Sequence, residues 1–258
     1  MAFIFFMILF CAAAPKNVWA SASIDISAAA SGLARVQFTG DLSKTVKVLV
    51  DLNGTQNIYM LRSQNPTFIP LQMGPGAYKI SVLQNVAGNK YKPLASQAVT
   101  VGEVDQNAMY SASIPLIDYN ASTQAIPAYA KLTQGETKNK AVEKVYADVV
   151  TGYSYDFDKV KNLPADYVPI LDEVYQKKKG ICYDYSALLA GSLRSQGIPV
   201  KLVMGYAPDI EEYHAWNEIW IDGKWVVVDT TYDSQLAKAN VTYTFAKDAS
   251  KRKVVKVY

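Results

Sequence analysis

The period of the apolar positions changes once along this chain. From about residue 21 to 118 it is that of strands. Val46-Lys47-Val48-Leu49-Val50 runs into Asn53-Gly54, a pair that accepts positive φ, and Ile58-Tyr59-Met60-Leu61 follows, so a hairpin is predicted there. After Gly74-Pro75-Gly76, Tyr78, Ile80 and Val82 alternate with Lys79, Ser81 and Leu83. Ala87-Gly88-Asn89 turns the chain again, and Ala98-Val99-Thr100-Val101 closes the set. Short strands with frequent turns read as a small antiparallel sandwich over 21–118. Residues 119–136, with Asn120, Ser122, Thr123, Pro127, Gln134 and Gly135, read as a linker to a second domain over 137–258. There the period becomes helical. Val142, Val145, Tyr146, Val149 and Val150 share a face, and Gly152 stops that helix. A second helix is predicted over 166–179, with Pro169 in its first turn. A third begins at Cys182, buries Ala187, Leu188, Leu189 and Leu193, and ends at Gly197 and Pro199. Val200 to Tyr206 reads as a strand. Tyr213 to Ile221 and Lys224 to Asp229 read as a hairpin about Asp222-Gly223. The whole is α+β: a helical layer against an antiparallel sheet, preceded by an all-β sandwich.

The amino terminus stands apart. Phe3 to Ala14 is apolar but shorter than the roughly 20 residues that span a bilayer. Pro15-Lys16-Asn17 breaks the run, and small residues near Ala20 suit a signal peptidase, so residues 1–20 read as a signal peptide. The alternative is an uncleaved anchor. Lipidation at Cys11 is disfavoured by the bulky Phe10 before it. The expected location is therefore secreted or cell-surface, with no transmembrane helix in the mature chain. Removing the leader leaves Cys182 as the one cysteine, unable to form an internal disulfide. A lone thiol in an oxidising compartment is either buried or used.

Charge narrows the partners. The formal net charge is +3 and the cations are scattered, which gives no nucleic-acid footprint. Lys177, Lys178 and Lys179 cluster, but at a helix end, where cations offset the carbonyl dipole. Asp156 and Asp158 lack the glycine turn and later glutamate of a calcium loop. One Cys and one His lack the paired spacing of a zinc site. No metal and no cofactor is expected.

The candidate chemistry lies in Cys182, His214 and Asp229. Cys182 opens a helix, where free N–H groups and the dipole favour a thiolate. Asp184 nearby opposes this, so His214, the only histidine, is expected to supply most of the activation. If Ile221 faces Lys224 in the hairpin, Trp216 faces Asp229. His214 shares Trp216's face and becomes Asp229's diagonal neighbour, with Cβ atoms within about 8 Å. A bulge would destroy this pairing. Each residue alone has an ordinary structural reading: a buried thiol, a satisfied histidine, a turn cap. Together they read as nucleophile, base and orienting carboxylate.

The same residues carry a resemblance. Gly180-x-Cys182-x-x-Tyr185-Ser186, Gly197-Ile198-Pro199, Gly205-Tyr206, His214-x-Trp216-x-Glu218, Gly223-x-Trp225 and Asp229-x-Thr231 are similar to the transglutaminase-like superfamily, above all its bacterial secreted members. The likeness covers about Ala141 to Tyr232. Thr230 stands where many relatives have proline. Tyr59-Met60-Leu61 and Gly76-x-Tyr78-x-Ile80-x-Val82 resemble a domain that precedes this module in some Gram-positive proteins. The resemblance implies a papain-like α+β fold and a Cys182, His214, Asp229 triad. It implies acyl transfer at an amide or peptide carbonyl through a thioester, with water or a lysine amine as acceptor. The implied partner is a protein or peptide substrate, cell-wall peptide included. The Cys182 N–H is an expected oxyanion donor. Tyr183 and Trp216 fall on the substrate side, with Trp216 packing the site; Tyr185, Tyr206 and Tyr213 are further candidates to line a cleft. The competing reading is a non-catalytic binding or scaffold protein on the same fold.

Overall fold

The computed structural model describes residues 21–164, 166–208 and 210–258; the leader and Cys11 lie outside the described residues. Strands β1 (Ser21–Asp25), β2 (Leu33–Thr39), β3 (Val46–Leu52), β4 (Thr55–Leu61), β5 (Thr67–Pro70), β6 (Gly76–Ala87) and β7 (Lys90–Val101) build two antiparallel sheets, ordered β1-β2-β5 and β4-β3-β6-β7. Their inner faces share one core, with Val36, Phe38, Val48, Val50, Tyr59, Ile69, Tyr78, Ile80 and Val82 buried. The expected Asn53-Gly54 hairpin is present: Leu52 pairs with Thr55, and both turn residues have positive φ. β4 is an edge strand. Its Tyr59 and Leu61 point into the sandwich, and Ile58 and Met60 point away from it.

A short helix, α1 (Gln106–Met109), leads out of the sandwich. The stretch read as a linker is not all extended, because α2 (Ala125–Leu132) lies within it. Pro127 is tolerated in the first turn, and Ala125 and Tyr129 are buried in the carboxy-terminal core. α3 (Lys138–Gly152) is capped by Thr137 and buries the predicted valine face. β8 (Ser154–Tyr155) and α4 (Phe157–Lys161) follow. The helix predicted over 166–179 is shorter than expected, α5 (Leu171–Lys177). Pro169 biases the residue before it towards extended backbone, and the helix starts only beyond that turn. β9 (Lys179–Gly180) pairs in parallel with β8, and α6 (Cys182–Arg194) is buried along nearly its whole length.

α6 packs on a four-stranded antiparallel sheet made of β10 (Val200–Ala207), β11 (Ile210–Ile221), β12 (Lys224–Val228) and β13 (Lys253–Val257), in the order β12-β11-β10-β13. Between β12 and β13 lies α7 (Thr230–Lys238), which sequence periodicity did not reveal. The described chain is thus α+β with antiparallel sheets.

The halves are tied together at several points. Arg194 is a buried cation that donates to the carbonyls of Val200 (2.8 Å), Ala112 (2.8 Å) and Tyr258 (2.9 Å). Gln72 of the sandwich donates to the Val257 carbonyl at 2.6 Å, and Arg62 pairs with Asp166 at 3.0 Å. Tyr59 meets Tyr258 edge to face at 6.5 Å. Leu116 packs against both cores.

Candidate active site

Cys182 is the first residue of α6, so its backbone N–H has no intrahelical acceptor. Two motif residues fix this helix start. Asp184 reaches back to accept from the Ile181 N–H at 2.8 Å, the second half of a capping box. Gly180 lies so close that a Cβ there would sit 2.6 Å from the Asp184 Cβ. The expected opposition of Asp184 to a thiolate is tempered: its fully buried carboxylate pairs with Lys159 at 2.7 Å and accepts from the Tyr167 hydroxyl. The neighbouring lysine cluster is also accounted for. Lys177 pairs with Glu173, Lys178 lies over the Tyr153 and Tyr175 rings, and Lys179 pairs with Asp156.

The hairpin register is the predicted one. Ile221 pairs with Lys224, and the ladder continues to Asn217 opposite Val228. Asp229 itself lies one residue past the strand. It leaves the ladder and caps α7, its Oδ1 accepting from the Tyr232 N–H at 3.1 Å. From there it still reaches His214. The Nε2 of the imidazole lies 2.9 Å from Oδ2 and 3.1 Å from Oδ1. An ionised carboxylate only accepts, so Nε2 carries the proton and Nδ1 is left for Cys182. Both Cys182 and His214 line one open groove.

The electrostatics favour a charged imidazole. Burial opposes the imidazolium, yet the hydrogen bonds and charges of Asp229 and Cys182 outweigh it and raise the His214 pKa to about 9. Burial likewise opposes the Asp229 carboxylate, but His214, Arg252 and the Tyr232 N–H hold it below the usual carboxylate range.

Arg252 gave no signal in the sequence. It is buried just before β13, with Nη1 3.0 Å from Asp229 Oδ2 and its guanidinium 5.0 Å from the Trp216 ring centre. The contact is an ion pair rather than an aligned hydrogen bond, since Nη1 and Nε have no hydrogen-bond acceptor. Gly205 brings Arg252's segment close: a Cβ there would stand 2.0 Å from the Lys253 carbonyl oxygen and 3.0 Å from the Trp216 ring.

The substrate-side expectations divide. Tyr183 and Tyr213 line the groove with Cys182 and His214. Trp216 does not. It is 1% exposed and stacks beside His214, 6.4 Å between ring centres, so it supports the imidazole from within the protein. Tyr185 is buried in the helical core, and Tyr206 is exposed outside the groove. Tyr155 was also unforeseen as a site residue. It pairs in register with Gly180, and burial, with the charge of Cys182 adding to it, raises its phenol to about 12. Among the described residues no group of three or more His, Cys, Asp and Glu could hold a metal ion, and no helix is long and apolar enough to cross a membrane.

Residues 127–230 match the family model of the transglutaminase-like superfamily. No curated protein matches. Among solved structures, the chain is similar to a TGase (21% identity over 42% of this chain, TM-score 0.34) and spans only 30% of that protein's length. It is similar to Legionella pneumophila LapG at 15% identity, covering 54% of this chain and 77% of that one, with a TM-score of 0.41. A candidate cysteine protease of Cytophaga hutchinsonii is 15% identical, with 83% and 89% covered and a TM-score of 0.38.

Proposed function

We propose that this protein is a cysteine enzyme that transfers the acyl group of an amide or peptide through a thioester. The observation that carries this reading is the only histidine of the chain. It is bound through Nε2 to a buried carboxylate, opens on the same groove as the only cysteine beyond the leader, and is stabilised as an imidazolium.

In this mechanism His214 Nδ1 takes the Cys182 proton, and the thiolate attacks the carbonyl carbon. The Cys182 N–H and, as our choice of second donor, the Tyr155 hydroxyl bind the oxyanion. The C–N bond breaks as His214 returns the proton to the leaving amine, leaving a thioester. Water or a second amine, deprotonated by His214, then attacks and releases Cys182. Asp229 keeps the proton on Nε2 throughout, so that Nδ1 faces the thiol. We further read 137–258 as the catalytic domain and 21–118 as its accessory domain. The leader implies that both work outside the cytoplasm, on a protein or cell-wall peptide.

The test is iodoacetamide alkylation of Cys182 against pH, read by mass spectrometry, for the wild type and His214→Ala. The enzyme reading requires fast labelling at neutral pH that His214→Ala abolishes. Slow labelling indifferent to that change would favour a binding scaffold instead.

A further inference from the structure

The groove at Cys182 is not built by the transglutaminase-like core alone. Its volume is about 390 Å³, and on one side its wall is the sandwich strand β4, through Ile58 and Met60. These two share the face of β4 that points away from the sandwich core, and Ile58 is 54% exposed. An apolar pair on the outer face of an edge strand is unusual, because edges are ordinarily blunted with charge. Here the pair lines the same groove as Cys182. Other lining residues are also apolar, among them Leu163, Val168 and Met204. Apart from Cys182, His214 and four tyrosines, the one titratable side chain among the described residues that line the groove is Asp166, and its carboxylate lies 3.0 Å from the Arg62 guanidinium. Tyr59 of β4 packs on Tyr258, and Gln72 and Arg62 of the same sandwich bond to Val257 and Asp166, so this wall is built into the fold.

We infer that the sandwich completes the substrate site, with Ile58 and Met60 selecting a bulky apolar residue that flanks the amide attacked by Cys182. This rests on the acyl-transfer reading above and adds the substrate class: polypeptides whose residue beside the reacting carbonyl is leucine- or phenylalanine-like. A charged residue there would lose its water without gaining a partner, because the one acidic side chain among the described residues of the groove, Asp166, is already paired with Arg62.

The experiment uses dipeptidyl chloromethyl ketones that alkylate Cys182 with loss of chloride, varied at the flanking position through Leu, Phe, Ala, Asp and Lys. Each inactivation rate is divided by the iodoacetamide rate of the same protein. The wild type is expected to favour Leu and Phe over Asp and Lys by roughly ten- to a hundredfold, the usual discrimination of an apolar pocket. Ile58→Lys should collapse that preference and raise the Asp probe relative to the Lys probe, and Met60→Ser should weaken it. Equal rates across the wild-type series, or a preference that Ile58→Lys and Met60→Ser leave intact, would overturn the inference while leaving the enzyme reading standing. If neither iodoacetamide nor any peptidyl probe depends on His214, the thiol reading itself fails, and this inference falls with it.

Discussion

Asp229→Asn tests the site where its electrostatics are most concentrated. Asparagine keeps the shape of the side chain and remains a good helix cap, so the start of α7 is preserved. What it removes is the charge beside Nε2. The rise of the His214 pKa from 6.5 to about 9 corresponds to about 3 kcal/mol favouring the imidazolium, at 1.36 kcal/mol per unit. With Asp229 neutral, burial acts on the imidazole with less opposition, and the Arg252 guanidinium adds repulsion. The pKa is expected to fall to or below the ordinary histidine value. The imidazolium fraction at pH 7.5 would then drop from nearly complete to about a tenth, and alkylation of Cys182 at that pH about tenfold with it. The assay is direct, because a chain with a single histidine gives one imidazole signal in an NMR titration. Stability supplies a second readout. A folded-state pKa above the unfolded one stabilises fully below about pH 6.5, and that contribution is lost as pH rises through about 9. The wild type should therefore lose stability between those values, and the variant should be less stable but flat across them. A His214 that titrates near 9 in Asp229→Asn, or near 6.5 in the wild type, would refute the reasoning.

Two further substitutions probe elements that surround the pair. Tyr155→Phe removes only a hydroxyl, and acylation by p-nitrophenyl acetate should slow about a hundred- to a thousandfold if that hydroxyl binds the oxyanion; an unchanged acylation rate would exclude the role. Gly205→Ala places a methyl group against the Lys253 carbonyl and the Trp216 ring. It should cost about 1–3 kcal/mol in denaturant unfolding and speed amide exchange along β13, whereas wild-type stability would mean that the close approach is not needed.

What could be read in advance follows from how local each constraint is. The hairpin register was legible because Asp222 and Gly223 both adopt positive φ in a two-residue turn, which leaves the flanking strands one pairing. That local constraint brought His214 and Asp229 together before any tertiary contact was known. The count failed only at its last step. Thr230, Thr231 and Tyr232 look like strand residues by type, yet they form the first turn of α7, because the Asp229 carboxylate caps it and Thr230, Thr231 and Asp233 bury their side chains against the core. The helix inside the expected linker was hidden for a similar reason: it is short, carries Pro127 and sits between turn residues, and the burial of Ala125 and Tyr129 holds it in place. Arg252, Tyr155 and the Ile58–Met60 wall were beyond reach altogether. Each meets the site through a long-range pairing or packing contact: β13 on β10, β8 beside β9, and the sandwich against the core. No period or motif near Arg252 encodes that it will face Asp229. The division has a physical sense. His214 and Asp229 are placed by a short, strongly determined hairpin, whereas Arg252, Tyr155 and the Ile58–Met60 wall come from segments distant in sequence, where a substitution leaves that hairpin undisturbed.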